Sequence, residues 1–294
     1  MFNIITPTYN RSHTLNRVYE SLKNQTFKDF IWFIIDDCST DDTKDLVDEW
    51  KTANEFLIVY EKLNENKGKS SAVNYGLELC KYPYTIVADS DDSFVPETLS
   101  ELKGIWEAIP KQEQDKIASI WTLTMDVKGN IIGDKFPMDY WQVGFKDRVL
   151  HHNIKGEKWA CWKTSVLVKQ KMYTAKTCHV QESHTWNAIN KKYDFLCVNK
   201  SHRFYYYSDD GLIASKKSRK QTAAIYYLGS YFGLKDVSLK EMISHGYYRN
   251  LAFNYWKSSL FFKDKKHKLS TSRALLSGLI SIVVLPKRLL KRGI

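Results

Sequence analysis

Residues 84–92, YTIVADSDD, combine a short apolar run with three aspartates, Asp89, Asp91 and Asp92. The apolar run predicts a buried β-strand, which places the aspartates together at its carboxyl end. Two unit charges about 4 Å apart repel by roughly 4 kcal/mol at an intermediate effective dielectric. Because such a cluster needs a compensating cation, this stretch predicts both a strand of an α/β sheet and a cation site at the end of that strand.

The sequence before this stretch alternates between the periods of strands and helices. Apolar runs at 2–8, 30–36 and 56–61 predict three strands, and Leu15, Val18 and Leu22 fall on one helical face between them. The strand–helix unit repeats roughly every 25 to 30 residues. This alternation predicts right-handed parallel crossovers, with helices on both faces of a mainly parallel, Rossmann-like central sheet.

Beyond residue 110 the pattern becomes looser and includes antiparallel features. Residues 117–136, IASIWTLTMDVKGNIIGDKF, predict two strands around a Gly-Asn turn. Residues 181–192 predict a helix, residues 195–198 and 202–207 predict two more strands, and the chain becomes helical from about residue 216. We therefore expect an α/β fold with a smaller antiparallel region and a helical C-terminal extension.

Composition limits the classes of partner. The 294 residues can bury one large core or two modest ones, and the net charge of +11 suits a phosphate-bearing substrate, nucleic acid or an anionic membrane. Nucleic acid is the weakest of these, because no helix-turn-helix, zinc-finger or RNA-stacking motif accompanies the charge. Five dispersed cysteines without a Cys-x-x-Cys pair predict reduced thiols, and the absence of a secretory signal pattern predicts a cytoplasmic protein.

Neither common phosphate-binding loop explains the aspartates. GKSS at 68–71 lacks the glycine that a Walker A motif needs five residues earlier, since that position is Leu63. The dinucleotide fingerprint G-x-G-x-x-G is absent after the first predicted strand. Carboxylates in an Asp-x-Asp pattern suit Mg²⁺ or Mn²⁺, which usually bridges substrate phosphates. Asp36 and Asp37 end the second strand, and parallel strands bring such ends to one edge, so we predict a divalent metal site that holds a diphosphate.

Four ordered motifs carry a family resemblance. NIITPTYNR (3–11), FIIDDCSTDDT (33–43), NENKGKSSAVNYGL (64–77) and IVADSDD (86–92) resemble the successive signatures of glycosyltransferase family 2, the inverting enzymes of GT-A fold. A looser likeness to bacterial members continues through residues 156–169 and 180–212. The resemblance implies a GT-A fold, a nucleotide-sugar donor and an acceptor in bacterial surface glycan assembly, such as capsule, lipopolysaccharide, teichoic acid or a lipid-linked intermediate.

The resemblance also implies a set of donor-site residues. It places Thr6, Pro7 and Tyr9 around the nucleotide base, Asp36 and Asp37 at the uracil ring, Asn66, Gly68 and Lys69 beside the nucleotide and its phosphates, and Asp89 and Ser90 near the ribose and donor sugar. Asp91, together with Asp89, is the implied ligand of Mn²⁺ or Mg²⁺. Two interpretations of Asp92 stay open: it supports the same site, or it caps the helix that starts near Pro96.

The second half of the chain is expected to supply a catalytic base. Direct displacement at the anomeric carbon needs a group that takes a proton from the acceptor hydroxyl. Family members commonly use a Glu-Asp pair at a helix start, where this chain has Gln181-Glu182, so Glu182 is the candidate base. The alternative is a glutamate favoured there by the helix macrodipole. His179 and His184 flank Glu182 without a recognised ligand spacing, so we expect them on the surface or in a polar core rather than at a metal site. Trp159, Trp162 and Trp186 could stack on sugar faces, but core packing is the expectation for each. Asp209 and Asp210 are expected at a turn or at the far side of the site.

The motifs suggest a catalytic domain at 1–215, with a donor-binding half at 1–100 and an acceptor-binding half at 101–215, followed by a helical region at 216–294. The apolar run ALLSGLISIVVLP (274–286) is too short to span a bilayer, which takes about 20 helical residues. Basic residues flank it on both sides. We expect either an interfacial helix on an anionic membrane or a helix that packs on the protein or a partner subunit.

These features together predict an inverting, metal-dependent glycosyltransferase at the inner face of the cytoplasmic membrane, acting from a UDP-sugar or a related donor. Two alternatives stay open. A nucleotidyltransferase also uses metal-bound carboxylates, but typically has a glycine-rich basic loop after its first strand, which TPTYNRS (6–12) lacks. A silent nucleotide-sugar-binding module is the other alternative, because Gln181 departs from the family's acidic pair.

Overall fold

The computed structural model describes residues 1–207 and 217–290, with side chains up to residue 284. The chain divides into two compact units. The first comprises Met1–Arg148, Asn153–Met172 and Ile189–Ser208, and the second comprises Val149–His152, Tyr173–Ala188 and Asp209–Ile294. The first unit contains the β-sheet, whereas the described part of the second unit is mainly helical.

One mixed sheet contains nine strands of the described residues. They are β1 (Phe2–Thr8), β2 (Phe30–Asp36), β3 (Ile58–Lys62), β4 (Tyr84–Val87), β5 (Ser93–Phe94), β6 (Ile117–Met125), β7 (Tyr140–Val143), β8 (Lys158–Lys163) and β9 (Asp194–Phe204). The spatial order is β3-β2-β1-β4-β8-β6-β9-β5, and β7 pairs with β9. The first four strands along this order are parallel, and the antiparallel pairs follow from β4–β8 onward. The predicted α/β class, with its parallel first part and antiparallel elements later in the chain, is confirmed.

Helices cover the parallel part of the sheet. The helices along this part of the sequence are α1 (Ser12–Lys23), α2 (Thr43–Ala53), α3 (Lys69–Leu79) and α4 (Thr98–Ala108). Further along the chain are α5 (Lys111–Gln114), a π-helical segment (Lys146–His152), α6 (Thr164–Gln170) and α7 (Glu182–Asn190), most of which belongs to the second unit. β1 and β2 are buried along their whole length, as expected for strands covered on both faces. Gly76 allows α3 to approach the sheet closely, because a Cβ atom there would lie 2.8 Å from the side chain of Ile5.

Two local predictions in the second half were wrong in part. Within residues 117–136, all of them described, the chain turns back around Gly129 and Asn130 as predicted, and the Asp126 N–H donates to the Asn130 carbonyl oxygen at 2.9 Å. Only Met125 and Ile131 form an antiparallel bridge there, so the second predicted strand does not form, and β6 pairs instead with β8 and β9. The single strand β9 includes both the strand predicted at 195–198 and the first part of the strand predicted at 202–207, and its register with β6 shifts along its length.

The described part of the second unit contains most of α7 and, after residue 216, the helices α8 (Arg219–Leu234), α9 (Leu239–Ser244), α10 (Gly246–Ser259) and α11 (Thr271–Leu290). Capping boxes begin two of them, with Ser218 and Gln221 at α8 and Ser238 and Glu241 at α9. The predicted C-terminal helices are therefore present. None of the helices described within 1–207 and 217–290 is both long and apolar enough to cross a membrane. All five cysteines carry free thiols, as predicted.

Candidate active site

The candidate site lies at the edge where the parallel strands end. Thr8, the last residue of β1, pairs with Asp36, the last residue of β2, and β4 runs parallel to β1 on the other side. The polar residues that follow these three strands therefore meet at one edge, where open α/β sheets bind their ligands.

Hydrogen bonds join the segments after β1 and β2. The backbone N–H of Asn10 donates to Ser39 Oγ at 2.9 Å, and Asn10 Oδ1 accepts from the Thr40 N–H at 2.8 Å. Asp41 Oδ2 accepts from the Ser12 N–H at 3.0 Å. Hydrogen bonds from Thr43 and Ser12 lower the pKa of Asp41, although its partial burial acts in the opposite direction. These hydrogen bonds hold the loop after β1 and the loop after β2 together as one polar surface, although the two loops are distant in sequence.

Asp36 is fully buried and both of its carboxylate oxygens accept hydrogen bonds within the protein. Oδ1 accepts from the Ser39 N–H at 2.7 Å, and Oδ2 accepts from the Tyr60 hydroxyl at 2.5 Å. Burial and the contact with Asp36 raise the pKa of Tyr60. Asp36 therefore stabilises the end of β2 by joining it to β3.

Asp37 connects the end of β2 to the loop that starts α3. Its Oδ1 accepts from the Lys67 N–H at 2.9 Å and its Oδ2 from the Gly68 N–H at 2.6 Å. Asn66 Oδ1 also accepts from the Gly68 N–H, at 3.2 Å. Gly68 has φ +84°, a left-handed conformation that glycine adopts without strain, and a Cβ atom there would meet nothing within 4 Å. The structure thus brings Asp37, Asn66 and Gly68 together.

Lys69 connects this loop to the acidic segment after β4. Its Nζ lies 2.5 Å from Asp89 Oδ1, and both side chains are partly exposed. The carbonyl oxygen of Ser90 accepts from Thr14 Oγ1 at 2.9 Å, which ties the acidic segment to α1. The residues predicted near the phosphates and near the donor sugar therefore lie next to one another.

Asp91 is half-buried and lies close to the charge of Asp89. Burial and the negative charge of Asp89 raise the pKa of Asp91, while the positive charges of Arg11 and Lys69 lower it to a smaller extent. A cation between Asp89 and Asp91 would relieve this repulsion, and carboxylate oxygens are the ligands that Mg²⁺ and Mn²⁺ take. Among the described residues no group of three or more His, Cys, Asp and Glu could hold a metal. A cation held by Asp89 and Asp91 would take its remaining ligands from water and substrate phosphates.

Asp92 is held by a residue that the sequence analysis missed. Its Oδ1 lies 3.3 Å from Nε of Arg203 on β9, and both side chains are buried. Asp92 Oδ2 accepts from the Asp89 N–H at 3.3 Å. Burial raises the pKa of Asp92 well above its usual range, and Arg203 opposes this. The helix-cap interpretation of Asp92 was wrong, because α4 begins at Thr98 with Glu97 at its N-cap.

The residues predicted around the nucleotide base differ in their accessibility. Thr6 is fully buried and its Oγ1 accepts from the indole N–H of Trp32 at 2.8 Å. Pro7 is also buried within β1, whereas the ring of Tyr9 is exposed just beyond the end of the strand. Among these three, Tyr9 is the side chain that a ligand at this edge could contact directly.

Glu182 is the first residue of α7 and belongs to the second unit. Its role as a base stays a prediction. Two residues later in α7, His184 is buried, as one of the two expectations for it had it, and burial lowers its pKa to about 4. Trp159 and Trp162 are also buried, as expected. Asp209 and Asp210 lie outside the described residues.

The chain is similar to known glycosyltransferases in sequence. Residues 3–117 match the family model described as glycosyl transferase family 2. The chain is 24% identical over 268 residues to the GalNAc(5)-diNAcBac-PP-undecaprenol beta-1,3-glucosyltransferase of Campylobacter jejuni, an alignment that covers 88% of this chain and 82% of the relative. It is 36% identical over 100 residues to the UDP-Glc:alpha-D-GlcNAc-diphosphoundecaprenol beta-1,3-glucosyltransferase WfaP of Escherichia coli, covering 34% of this chain and 39% of that relative.

Solved structures share the fold. Staphylococcus aureus TarS 1–349 in complex with UDP-GlcNAc superposes with a TM-score of 0.64 at 18% identity, covering 88% of this chain and 71% of that one. The mannosyltransferase PcManGT from Pyrobaculum calidifontis, in complex with GDP-Man and Mn²⁺, superposes with a TM-score of 0.58 at 18% identity, covering 98% and 82%. At these identities the likeness shows a common fold, and it confirms the GT-A-like architecture predicted from the sequence.

Proposed function

We propose, from the premise that this chain is a glycosyltransferase of family 2, that it transfers one sugar with inversion from a nucleotide diphosphate donor to an acceptor hydroxyl. One observation carries the proposal: three groups lie together at one edge of the sheet. They are the loop of residues 66–68, whose backbone binds Asp37, the side chain of Lys69, and the acidic segment Asp89–Asp92. That edge combines backbone and cationic groups for a diphosphate with carboxylates for a divalent cation. A UDP-sugar is the proposed donor, since both the C. jejuni relative and WfaP are named as glucosyltransferases and WfaP is named for UDP-Glc.

On the donor side, each group has a proposed task. The exposed ring of Tyr9 packs against the nucleotide base. Asp37 fixes the backbone of residues 66–68, so that this loop borders the diphosphate. Lys69 brings a positive charge to the same place. Asp89 and Asp91 would hold Mn²⁺ or Mg²⁺, which when bound neutralises charge on the departing diphosphate.

On the acceptor side, Glu182 is the proposed base. Its carboxylate accepts the proton of the acceptor hydroxyl as the oxygen attacks the anomeric carbon from the face opposite the diphosphate. We further propose that residues 1–100 bind the donor, residues 101–215 bind the acceptor, and residues 216–294 form an accessory helical region. The named acceptors of the C. jejuni and E. coli relatives are undecaprenol-linked, so a lipid-linked glycan at the inner face of the cytoplasmic membrane is the proposed acceptor.

The first test measures UDP release from a panel of UDP-sugars in the presence of Mn²⁺. We expect slow release from one donor, accelerated by an undecaprenol-linked acceptor. Asp91→Asn should lower turnover about 100-fold or more, because charge stabilisation at the leaving group is worth several kcal/mol. Asp236→Asn, at a strongly exposed aspartate in the second unit, is the matched control and should stay within about twofold of the wild type.

The second test separates the base from donor binding. Glu182→Gln should lower turnover by about 10²- to 10⁴-fold, the usual contribution of a general base, while UDP binding by calorimetry stays unchanged. Full activity of the Gln variant would refute the assignment. A nucleotidyltransferase would instead release pyrophosphate from a nucleoside triphosphate and a sugar phosphate, and a silent binding module would bind UDP without turnover of any donor.

A further inference from the structure

The last described helix, α11, has two unlike faces. Ser277, Ile280 and Ser281 are buried, and the Cβ position of Gly278 lies 3.5 Å from the Trp256 ring of α10. The two serine hydroxyls donate to carbonyl oxygens one turn earlier, Ser277 to Arg273 at 2.8 Å and Ser281 to Ser277 at 2.7 Å. These small residues let α11 pack closely on α10 without leaving unsatisfied hydroxyls.

The other face of α11 presents aliphatic side chains to solvent. Leu275, Leu279, Ile282 and Val283 are each between 62% and 70% exposed. Their spacing of four, three and one residues places them on one stripe of the helix. Four neighbouring aliphatic residues at this exposure form a contiguous apolar surface, and surfaces of this kind mark a contact with a membrane or another macromolecule. We call these four residues the apolar stripe.

The charge around the apolar stripe indicates the partner. Between residues 263 and 292 the sequence has nine Lys and Arg and one Asp, within a chain whose net charge is +11. Lys263, Lys265, Lys266 and Lys268 are all exposed just before α11 begins, and four more basic residues lie in 287–292. A second copy of the chain would bring two such basic segments together, whereas an anionic lipid surface compensates them.

We infer that α11 is an interfacial helix whose apolar stripe inserts into an anionic bilayer surface while the flanking basic residues contact the lipid headgroups. This interaction is separate from the transferase proposal and does not depend on it. A helix that joins an apolar face to basic flanks lies in the plane of the membrane interface, where both the acyl region and the headgroup charge stabilise it.

The test is co-sedimentation of the full chain with vesicles of phosphatidylglycerol and phosphatidylcholine, compared with vesicles of phosphatidylcholine alone. We expect binding to the anionic vesicles, weakened at least tenfold when NaCl is raised from about 0.1 M to about 1 M, since the screening length falls from about 10 Å to about 3 Å. Equal binding to both vesicle types, or binding to neither, would overturn the inference.

Two variants test separately the apolar stripe and the basic residues that flank it. Leu279→Glu/Ile282→Glu should lower binding to anionic vesicles at least tenfold, while the control Leu239→Glu/Ile243→Glu, at exposed aliphatic residues of α9, should change it less than twofold. Lys265→Gln/Lys266→Gln leaves the helix unchanged and should lower binding by about fivefold for each lysine. The inference fails if the stripe variant binds like the wild type. It also fails if light scattering shows that this variant dissociates a dimer and vesicle binding is absent.

Discussion

Replacing Arg203 with methionine should destabilise the sheet-containing unit strongly. Asp92 is 2% exposed and the Arg203 side chain 7% exposed, so the pair is almost fully removed from water. Methionine keeps much of the apolar volume but leaves the Asp92 carboxylate without its cationic partner. Removal of one member of a buried ion pair usually costs about 3–5 kcal/mol of unfolding free energy. That loss is a large part of the roughly 5–15 kcal/mol by which a folded domain is stable.

The assay is urea unfolding followed by tryptophan fluorescence, with an internal control on the same strand. Lys200 on β9 pairs with Glu101 at 2.7 Å, but both groups are substantially exposed, so Lys200→Met should cost less than about 1 kcal/mol. The double variant Asp92→Asn/Arg203→Met should recover part of the loss, because no charge is then left buried. If Arg203→Met costs no more than Lys200→Met, the argument from burial is refuted.

Other predictions concern stability. Burial lowers the pKa of His184 from 6.5 to about 4, so the unfolded chain is protonated first and the stability present above pH 6.5 is lost as the pH falls towards 4. The loss amounts to about 3 kcal/mol, and His184→Gln should give a shallower decline in melting temperature over that range. Gly76→Ala should destabilise by about 1–3 kcal/mol, since its Cβ would lie 2.8 Å from Ile5. Gly104→Ala, also within a helix but with open space around the Cβ, should stabilise by about 0.5–1 kcal/mol in the same thermal assay; equal effects at the two glycines would contradict the packing argument.

The parallel half of the sheet could be predicted because its signals are local. Each of the first four strands is a short apolar run, each following helix has its own apolar periodicity, and the right-handed crossover rule then fixes how they join. The hairpin predicted at 117–136 forms only at its turn, for the opposite reason. A Gly-Asn turn favours a hairpin locally, but β6 pairs with β9, whose residues lie 76 to 79 positions after their partners. Pairing between strands so far apart in sequence cannot be recognised from the pattern of neighbouring residues.

Arg203 was missed for a related reason. HRFYYY predicts a strand, and an arginine in a strand is usually solvent-exposed. Its partner Asp92 lies 111 positions earlier, directly before β5, which pairs with β9. The buried charge of Asp92 was a signal that a cation must lie nearby, because an unpaired buried carboxylate is strongly unfavourable. The sequence analysis assigned that compensation to a metal, whereas a side chain of the protein provides it.

Because side chains of the protein pair with two of these aspartates, a metal ion is not needed to compensate the charge of all three. Asp89 pairs with Lys69 and Asp92 pairs with Arg203, so side chains of the protein supply a cation to two of the three aspartates. Burial and the charge of Asp89 raise the pKa of Asp91. We therefore expect the protein to fold without Mn²⁺ and to bind Mn²⁺ weakly by itself, since two carboxylates supply too few ligands.

The diphosphate of UDP adds both charge and oxygen ligands, so calorimetry should show at least tenfold tighter Mn²⁺ binding when UDP is present. By linkage, UDP binding should be tightened equally when Mn²⁺ is present. Mn²⁺ affinity that is the same with and without UDP would show that the cation is held by the protein alone and would contradict this assignment of the charges.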